Sequence, residues 1–333
     1  MKPDFEAILR EARRRGASDI HLRAGLKPAY RIDGCLVAAA SKELSRDDIS
    51  EFVASTNVCH GRGAFFASGD FDVALQIDNQ RYRLHVFVDP RAIGVVMRVL
   101  PETVPTLASL GMPPIVRAIA ENRAGLVLVT GAAGSGKTTT LAAMVNEINE
   151  TRPVHIVTLE DPIEILHSSK RALITQREVM SSGLTFSGAL RSALRQDPDV
   201  ILVGELRDAD TAQLACTAAE TGHLVLATLH SRGAVESVSR LLDLFPTTKQ
   251  GYARCMVADS LRAVVSQQLY PSTKGGRVAC TEVLVGTTAV RNLIREGKNH
   301  QLHGVMQASG SFGMVTMEQR LLQMEAEGLV RSG

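Results

Sequence analysis

Hydrophobic positions along the chain change their period as the sequence proceeds. Between residues 3 and 16, Phe5, Ile8, Leu9 and Ala12 recur at helical spacing, and the run Ser18-Asp-Ile-His-Leu22 that follows alternates like a strand. From Pro28 to about Leu100 alternation dominates: Ala29–Ile32, Phe71–Leu75, Arg81–Phe87 and Gly94–Leu100 read as strands, with one helical stretch over Arg46–Thr56. The pattern predicts an α+β domain over residues 1–100. Residues 101–114 carry four prolines in fourteen positions, so this backbone joins neither a helix interior nor a central strand, and it is the predicted linker. Beyond it the texture changes to short, continuous apolar runs at Leu126–Thr130, His155–Leu159, Val200–Val203 and Leu224–Thr228. Helical patterns at Thr138–Ile148, Phe186–Arg195 and Ala209–Glu220 alternate with them, as expected of an α/β domain, residues 115–333, with a parallel sheet covered on both faces. From about Ala234 the pattern is mostly helical, with one hairpin expected around Gly275-Gly276.

Composition narrows the class. The 333 residues are 45% hydrophobic and 22% charged without a low-complexity tract, as in a folded chain of about two domains. With 37 basic against 35 acidic residues, 4% aromatics and no tryptophan, neither a phosphate-tracking groove nor base stacking is supported, so no nucleic-acid partner is expected. Cysteines at 35, 59, 216, 255 and 280, odd in number and without a Cys-x-x-Cys pair, fit a reducing, cytoplasmic setting. No stretch approaches the about 20 apolar residues of a membrane span, and the N-terminal run does not read as a leader.

The candidate chemistry sits at strand ends. Gly131-Ala-Ala-Gly-Ser-Gly-Lys-Thr138 follows an apolar strand and opens a helix, the context that makes this glycine spacing a phosphate cradle. Gly131, Ala132, Ala133, Gly134, Ser135 and Gly136 turn backbone N–H groups inward, and the helix N-terminus, with Thr138 and Thr139, adds its positive end. Lys137 is placed to bind the β and γ phosphates of ATP, and the Thr138 hydroxyl to ligate Mg²⁺. Asp199-Val-Ile-Leu-Val-Gly-Glu205 delivers a carboxylate at a strand end, where open parallel sheets gather ligands, and Glu205 is the expected holder of the metal's water shell. Thr158-Leu-Glu160-Asp161-Pro162-Ile-Glu164 brings three more carboxylates close together. Glu164 is the candidate to polarise the attacking water, and Glu160 and Asp161 to shape the metal site. A solvated acidic turn is the plainer reading of both segments. The histidines of Gly222-His223-Leu-Val-Leu-Ala-Thr-Leu-His230 read from spacing alone as core residues.

In this order the four segments resemble the secretion ATPase superfamily of type II secretion, type IV pilus and type IV secretion motors, where they are called Walker A, Asp box, Walker B and His box. The likeness covers nearly the whole chain and raises His230, and less so His223, to site residues. Ala17-Ser-Asp-Ile-His-Leu22 and Ala289-Val-Arg-Asn-Leu-Ile-Arg-Glu296 look like the twitching-motility retraction ATPases of the PilT and PilU type. The absence of a tetracysteine zinc insertion argues against the assembly ATPases. Ala132-Ala133 departs from the family's usual Pro-Thr at positions where backbone matters more than side chain. The resemblance implies a PAS-like N-terminal domain followed by a RecA-like ATPase domain, assembled as a homohexamer that hydrolyses ATP to power pilus retraction. It also implies an inner-membrane platform protein as partner, a paralogous pilus ATPase as a second one, and peripheral association with the inner membrane. Arginines of the N-terminal domain reach the nucleotide phosphates in that family, which points to Arg83 and Arg98, with Arg81 as a weaker candidate. Two rival readings remain, a nucleotide-binding regulatory ring component and a RecA-like translocase on nucleic acid.

Overall fold

The computed structural model describes residues 4–56, 70–78, 80–88, 93–101, 103–179 and 183–331, so Cys59 lies outside the described residues. The chain divides into two units, Met1–Thr103 and Val104–Gly333.

In the first unit α1 (Phe5–Arg14) precedes β1 (Asp19–Arg23), β2 (Ala29–Ile32) and β3 (Cys35–Ala38), then α2 (Arg46–Ser55), β4 (Asp70–Ile77), β5 (Gln80–Val88) and β6 (Ile93–Val99). Asp4 caps α1 by accepting from the Ala7 N–H, and Ser45 with Asp48 forms a capping box at the start of α2. The six strands form one antiparallel sheet in the order β3-β2-β1-β6-β5-β4. Period-two alternation sorts its side chains onto two faces. Ile20, Leu22, Leu84, Val86, Val95 and Met97 join Ile8 and Leu9 of α1 and Ile49 and Phe52 of α2 in one buried cluster. The residues between them, Asp19 and His21 on β1, Arg83 and His85 on β5, Val96 and Arg98 on β6, belong to the opposite face.

The second unit begins with the remainder of the proline-rich segment. Leu107 is buried in this unit's core, and α3 (Pro114–Ala120) starts on proline, whose missing N–H costs nothing in a first helical turn. Then come β7 (Gly125–Thr130), α4 (Lys137–Thr151), β8 (His155–Glu160), β9 (Leu173–Glu178), α5 (Phe186–Ala193), β10 (Val200–Val203), α6 (Ala209–Glu220), β11 (Leu224–Leu229) and α7 (Ala234–Asp243). The chain continues through α8 (Gln250–Ser260), β12 (Leu261–Pro271), β13 (Arg277–Val285), α9 (Thr288–Glu296), α10 (Leu302–Ala308) and α11 (Met317–Ala326). Seven strands form a sheet in the order β13-β12-β7-β11-β10-β8-β9, parallel throughout except for the β12–β13 hairpin. The central strands are apolar on both faces. Leu126, Leu128, Val157 and Ile201 pack toward α5, α6, α7 and α8, and Val127, Val129, Ile156 and Leu202 toward α3 and α4.

The last third matches its expectation: helices α7 to α11 surround one hairpin that turns at Gly275-Gly276, and its strands β12 and β13, of 11 and 9 residues, pair along nine positions and extend the sheet. The edge strand β9 was not anticipated, because five of its six side chains are only half-buried and four are polar. Four cysteines, 35, 216, 255 and 280, are free, and no helix of the described residues is long and apolar enough to cross a membrane.

Candidate nucleotide-hydrolysis site

Four parallel strands, β7, β8, β10 and β11, end side by side, and the loop after each carries a predicted site segment. After β7 the chain turns through Gly131 at φ +149° and Gly134 at φ +74°, and Gly136, at φ +90°, is the N-cap residue of α4. At Gly131 and Gly136 glycine is required by space as well as by backbone angle. A Cβ at 131 would collide with the Gln267 carbonyl oxygen and the Ser135 hydroxyl, and one at 136 would come within 2.7 Å of Gln267 Nε2.

Lys137 is buried, and its amine donates to the Gly131 and Ala132 carbonyls at 3.0 and 2.8 Å. Burial pulls its pKa below the ordinary lysine value, and the nearby Glu205 carboxylate pulls the other way. Thr138 is exposed and Thr139 half-buried on the first turn of α4, while the buried Ser135 hydroxyl has no hydrogen-bond partner among the described residues.

Glu205 stands just beyond β10 with its side chain 19% exposed, and both of its oxygens are engaged. Oε2 accepts from Arg207 Nε at 2.7 Å, and Oε1 lies 3.3 Å from His230 Nε2. Its turn is tied to the neighbouring strands, since Gly204 N–H donates to the Leu159 carbonyl at 2.8 Å and Leu206 N–H to the Thr228 carbonyl at 3.0 Å. The structure thus brings Lys137, Glu205 and His230 together. It separates His223 from them. That residue stands just before β11, at the opposite end from His230, where Nδ1 lies 3.0 Å from the Ala218 carbonyl at the close of α6.

The acidic segment after β8 is half ordered by its own strand. Glu160 Oε1 accepts from Thr158 Oγ1 at 2.7 Å and Gln176 Nε2 at 3.1 Å. Asp161 is exposed and Glu164 half-buried on irregular backbone. Among the described residues no group of three or more His, Cys, Asp or Glu is arranged to hold a metal ion by itself. Arg83 and Arg98 lie on the first unit's sheet as register partners on β5 and β6.

Residues 1–329 match the family described as type II/IV secretion system protein. The chain belongs to that family. It is 43% identical over 328 residues to the type IV pilus retraction ATPase PilT of Pseudomonas aeruginosa, covering 98% of this chain and 95% of the relative. It is 47% identical over 305 residues to a twitching motility protein of Neisseria gonorrhoeae, covering 91% and 82%. A crystal structure of the pilus retraction motor PilT with bound ADP superposes with a TM-score of 0.91 at 40% identity, covering 99% of this chain and 94% of that one. The mixed α/β class expected from the sequence is the class observed.

This secretion-system family member supports its site with residues that the sequence did not disclose. Gln267 of β12, 2% exposed, accepts from Thr140 Oγ1 at 2.7 Å and donates to the Ser135 carbonyl at 2.6 Å, clamping the glycine loop to the sheet. Gln176 of β9 donates to the Ile165 carbonyl at 3.0 Å and accepts from the His167 N–H at 2.8 Å, strapping the acidic loop. The Ser237 hydroxyl lies 2.8 Å from that of Thr130, directly before the glycine loop, and 2.5 Å from that of Ser231, directly after His230. Glu282 caps α7 by accepting from the Ala234 N–H at 2.8 Å. Arg232 and Arg277 line a cavity of about 480 Å³ beside residues 132–135. A polar residue buried in a strand, as Gln267 is, was the available signal, but its partner lies 127 residues away.

Proposed function

We propose that this chain is the ATP-hydrolysing subunit of a type IV pilus retraction motor. The observation that carries the reading is the convergence of Lys137, Glu205 and His230 at the C-terminal end of one parallel sheet, in a chain whose family relatives include a pilus retraction ATPase.

The site suits a nucleoside triphosphate. The loop from Gly131 to Thr138 supplies backbone donors and a helix N-terminus, and the unpartnered Ser135 hydroxyl stands within it. Lys137 exchanges its two loop carbonyls for phosphate oxygens. Mg²⁺ suits a site with few protein ligands, since it keeps several waters and shares phosphate oxygens. Thr138 would hold it directly, with Glu205, Glu160 and Asp161 holding its water shell. When bound, the metal neutralises charge that develops on the phosphates. Glu164 orients the attacking water, and His230, in contact with Glu205, belongs to the same site.

Arg83 and Arg98 complete the site from an N-terminal domain. Guanidinium groups keep their charge and fork onto phosphate oxygens. Hydrolysis is thereby coupled to opening and closing of each subunit, because contacts made only in the closed state shift the balance by their difference in free energy. The proline-rich segment is the hinge, and since Leu107 is buried in the second unit, the moving residues are those before it. The ring is a homohexamer that works against an inner-membrane platform protein from the cytoplasmic side.

The test is steady-state Mg²⁺-ATPase turnover of the purified chain beside Glu205→Ala, with oligomeric mass recorded on the same samples. Turnover by a hexamer, reduced about 100-fold or more by the substitution without loss of assembly, is the expected outcome. A well-formed ring that binds ATP and does not turn over would replace the motor with a regulatory ring.

A further inference from the structure

The face of the first unit's sheet that carries Arg83 and Arg98 is electrostatically unusual. The two are register partners on neighbouring strands, where like charges repel. Each is flanked on its other side by a carboxylate. Asp19, the register partner of Arg98 on β1, accepts from Arg98 Nε at 3.0 Å. Asp72 of β4 accepts from Arg83 Nε at 3.4 Å, and its second oxygen lies 3.4 Å from His85 Nδ1. Together these side chains border a cavity of about 230 Å³.

The partners of the Asp19–Arg98 pair are not equivalent. The Asp19 side chain is 11% exposed and that of Arg98 is 61% exposed. Asp19 is itself fixed, because Oδ2 accepts from Ser18 Oγ at 2.8 Å while Oδ1 takes the arginine. A carboxylate held at both oxygens is a rigid anchor, and the arginine is an arm upon it. Contact through Nε sets the guanidinium plane and leaves the outer fork of two Nη atoms unspent on Asp19.

We infer that Asp19 is a positioning residue for Arg98, presetting its guanidinium for an incoming phosphate group. This inference rests on the phosphate role proposed above for the two arginines. An anion entering the cavity relieves the repulsion between them, and an arm already oriented loses little freedom when it binds. A purely structural reading accounts for less, since exposed ion pairs contribute little to stability.

The experiment measures kcat and KM for ATP in the full-length chain for Asp19→Ala, Asp19→Asn, Arg98→Ala and Asp19→Ala combined with Arg98→Ala. Thermal unfolding is followed on the same samples. Asp19→Ala is expected to lower kcat about 10-fold with KM little changed. Asp19→Asn should fall between it and the unaltered chain, and the double variant should be no slower than Arg98→Ala alone. Losses that multiply in the double variant, or full activity in Asp19→Ala while Arg98→Ala is impaired, would overturn the inference and leave the phosphate role standing. Full activity in Arg98→Ala would remove the phosphate role, and the inference with it. Should Asp19→Ala fail to fold, the same cycle with Asp19→Asn, alone and combined with Arg98→Ala, decides, because the amide keeps the shape of the side chain.

Discussion

His167 lies in the acidic loop with Nδ1 enclosed and unpartnered among the described residues. Burial, helped by the Lys170 charge, holds its pKa down at about 4. In the unfolded chain it titrates near the ordinary histidine value of 6.5. Between those two values the unfolded state binds more protons, so stability rises with pH across that window and is lost as pH falls from 6.5 toward about 4. Urea unfolding at a series of pH values should show this slope in the second unit, and His167→Gln should flatten it. An unchanged slope in the variant would assign the acid sensitivity to other groups. Lys137 and Glu205 were legible from sequence because glycine spacing and a strand-end carboxylate are local patterns. His230 was legible only through the family resemblance, since its contact with Glu205 joins the ends of two different strands.

At the scale of elements, the central strands announced themselves. Val200–Val203 and Ala209–Glu220 have the predicted bounds, the first as a continuous apolar run and the second with Asp208 as its N-cap. The edge was harder to read. In β9 the half-buried Gln176 and Glu178 bond to the loop after β8, while Thr175 and Arg177 on the other face meet His155 and Ser192, so no apolar period survives. Likewise β12 follows α8 without an intervening residue, so no glycine or proline marks the change from helix to strand. The strap from β9 has a testable role. Gln176→Leu should release the segment that carries Asp161 and Glu164, lowering turnover about 10-fold in a chain that still folds. Amide exchange over residues 163–167 should rise in parallel, and unchanged protection there would mean that Gln176 does not order the loop.

At the scale of the whole molecule, two units with separate cores divide the candidate site residues. The glycine loop, Glu205 and His230 lie in Val104–Gly333, and Arg83 and Arg98 lie in Met1–Thr103. Residues 104–333 expressed alone should therefore keep nucleotide binding, read by a fluorescent ADP analogue, and lose most turnover. Turnover equal to that of the full chain would show that the first unit contributes nothing to hydrolysis.

The clamp from Gln267 has a mechanical corollary. Because its amide joins the Ser135 carbonyl and the Thr140 hydroxyl to β12, the glycine loop cannot shift against that strand without breaking two buried hydrogen bonds. The strand runs on into a hairpin, and Thr273 beyond its end is bonded to the Gly328 and Leu329 carbonyls. Strain raised in the glycine loop by a bound phosphate would thus pass along a stiff β-ribbon toward the segment that follows α11, as a lever carries force away from its fulcrum.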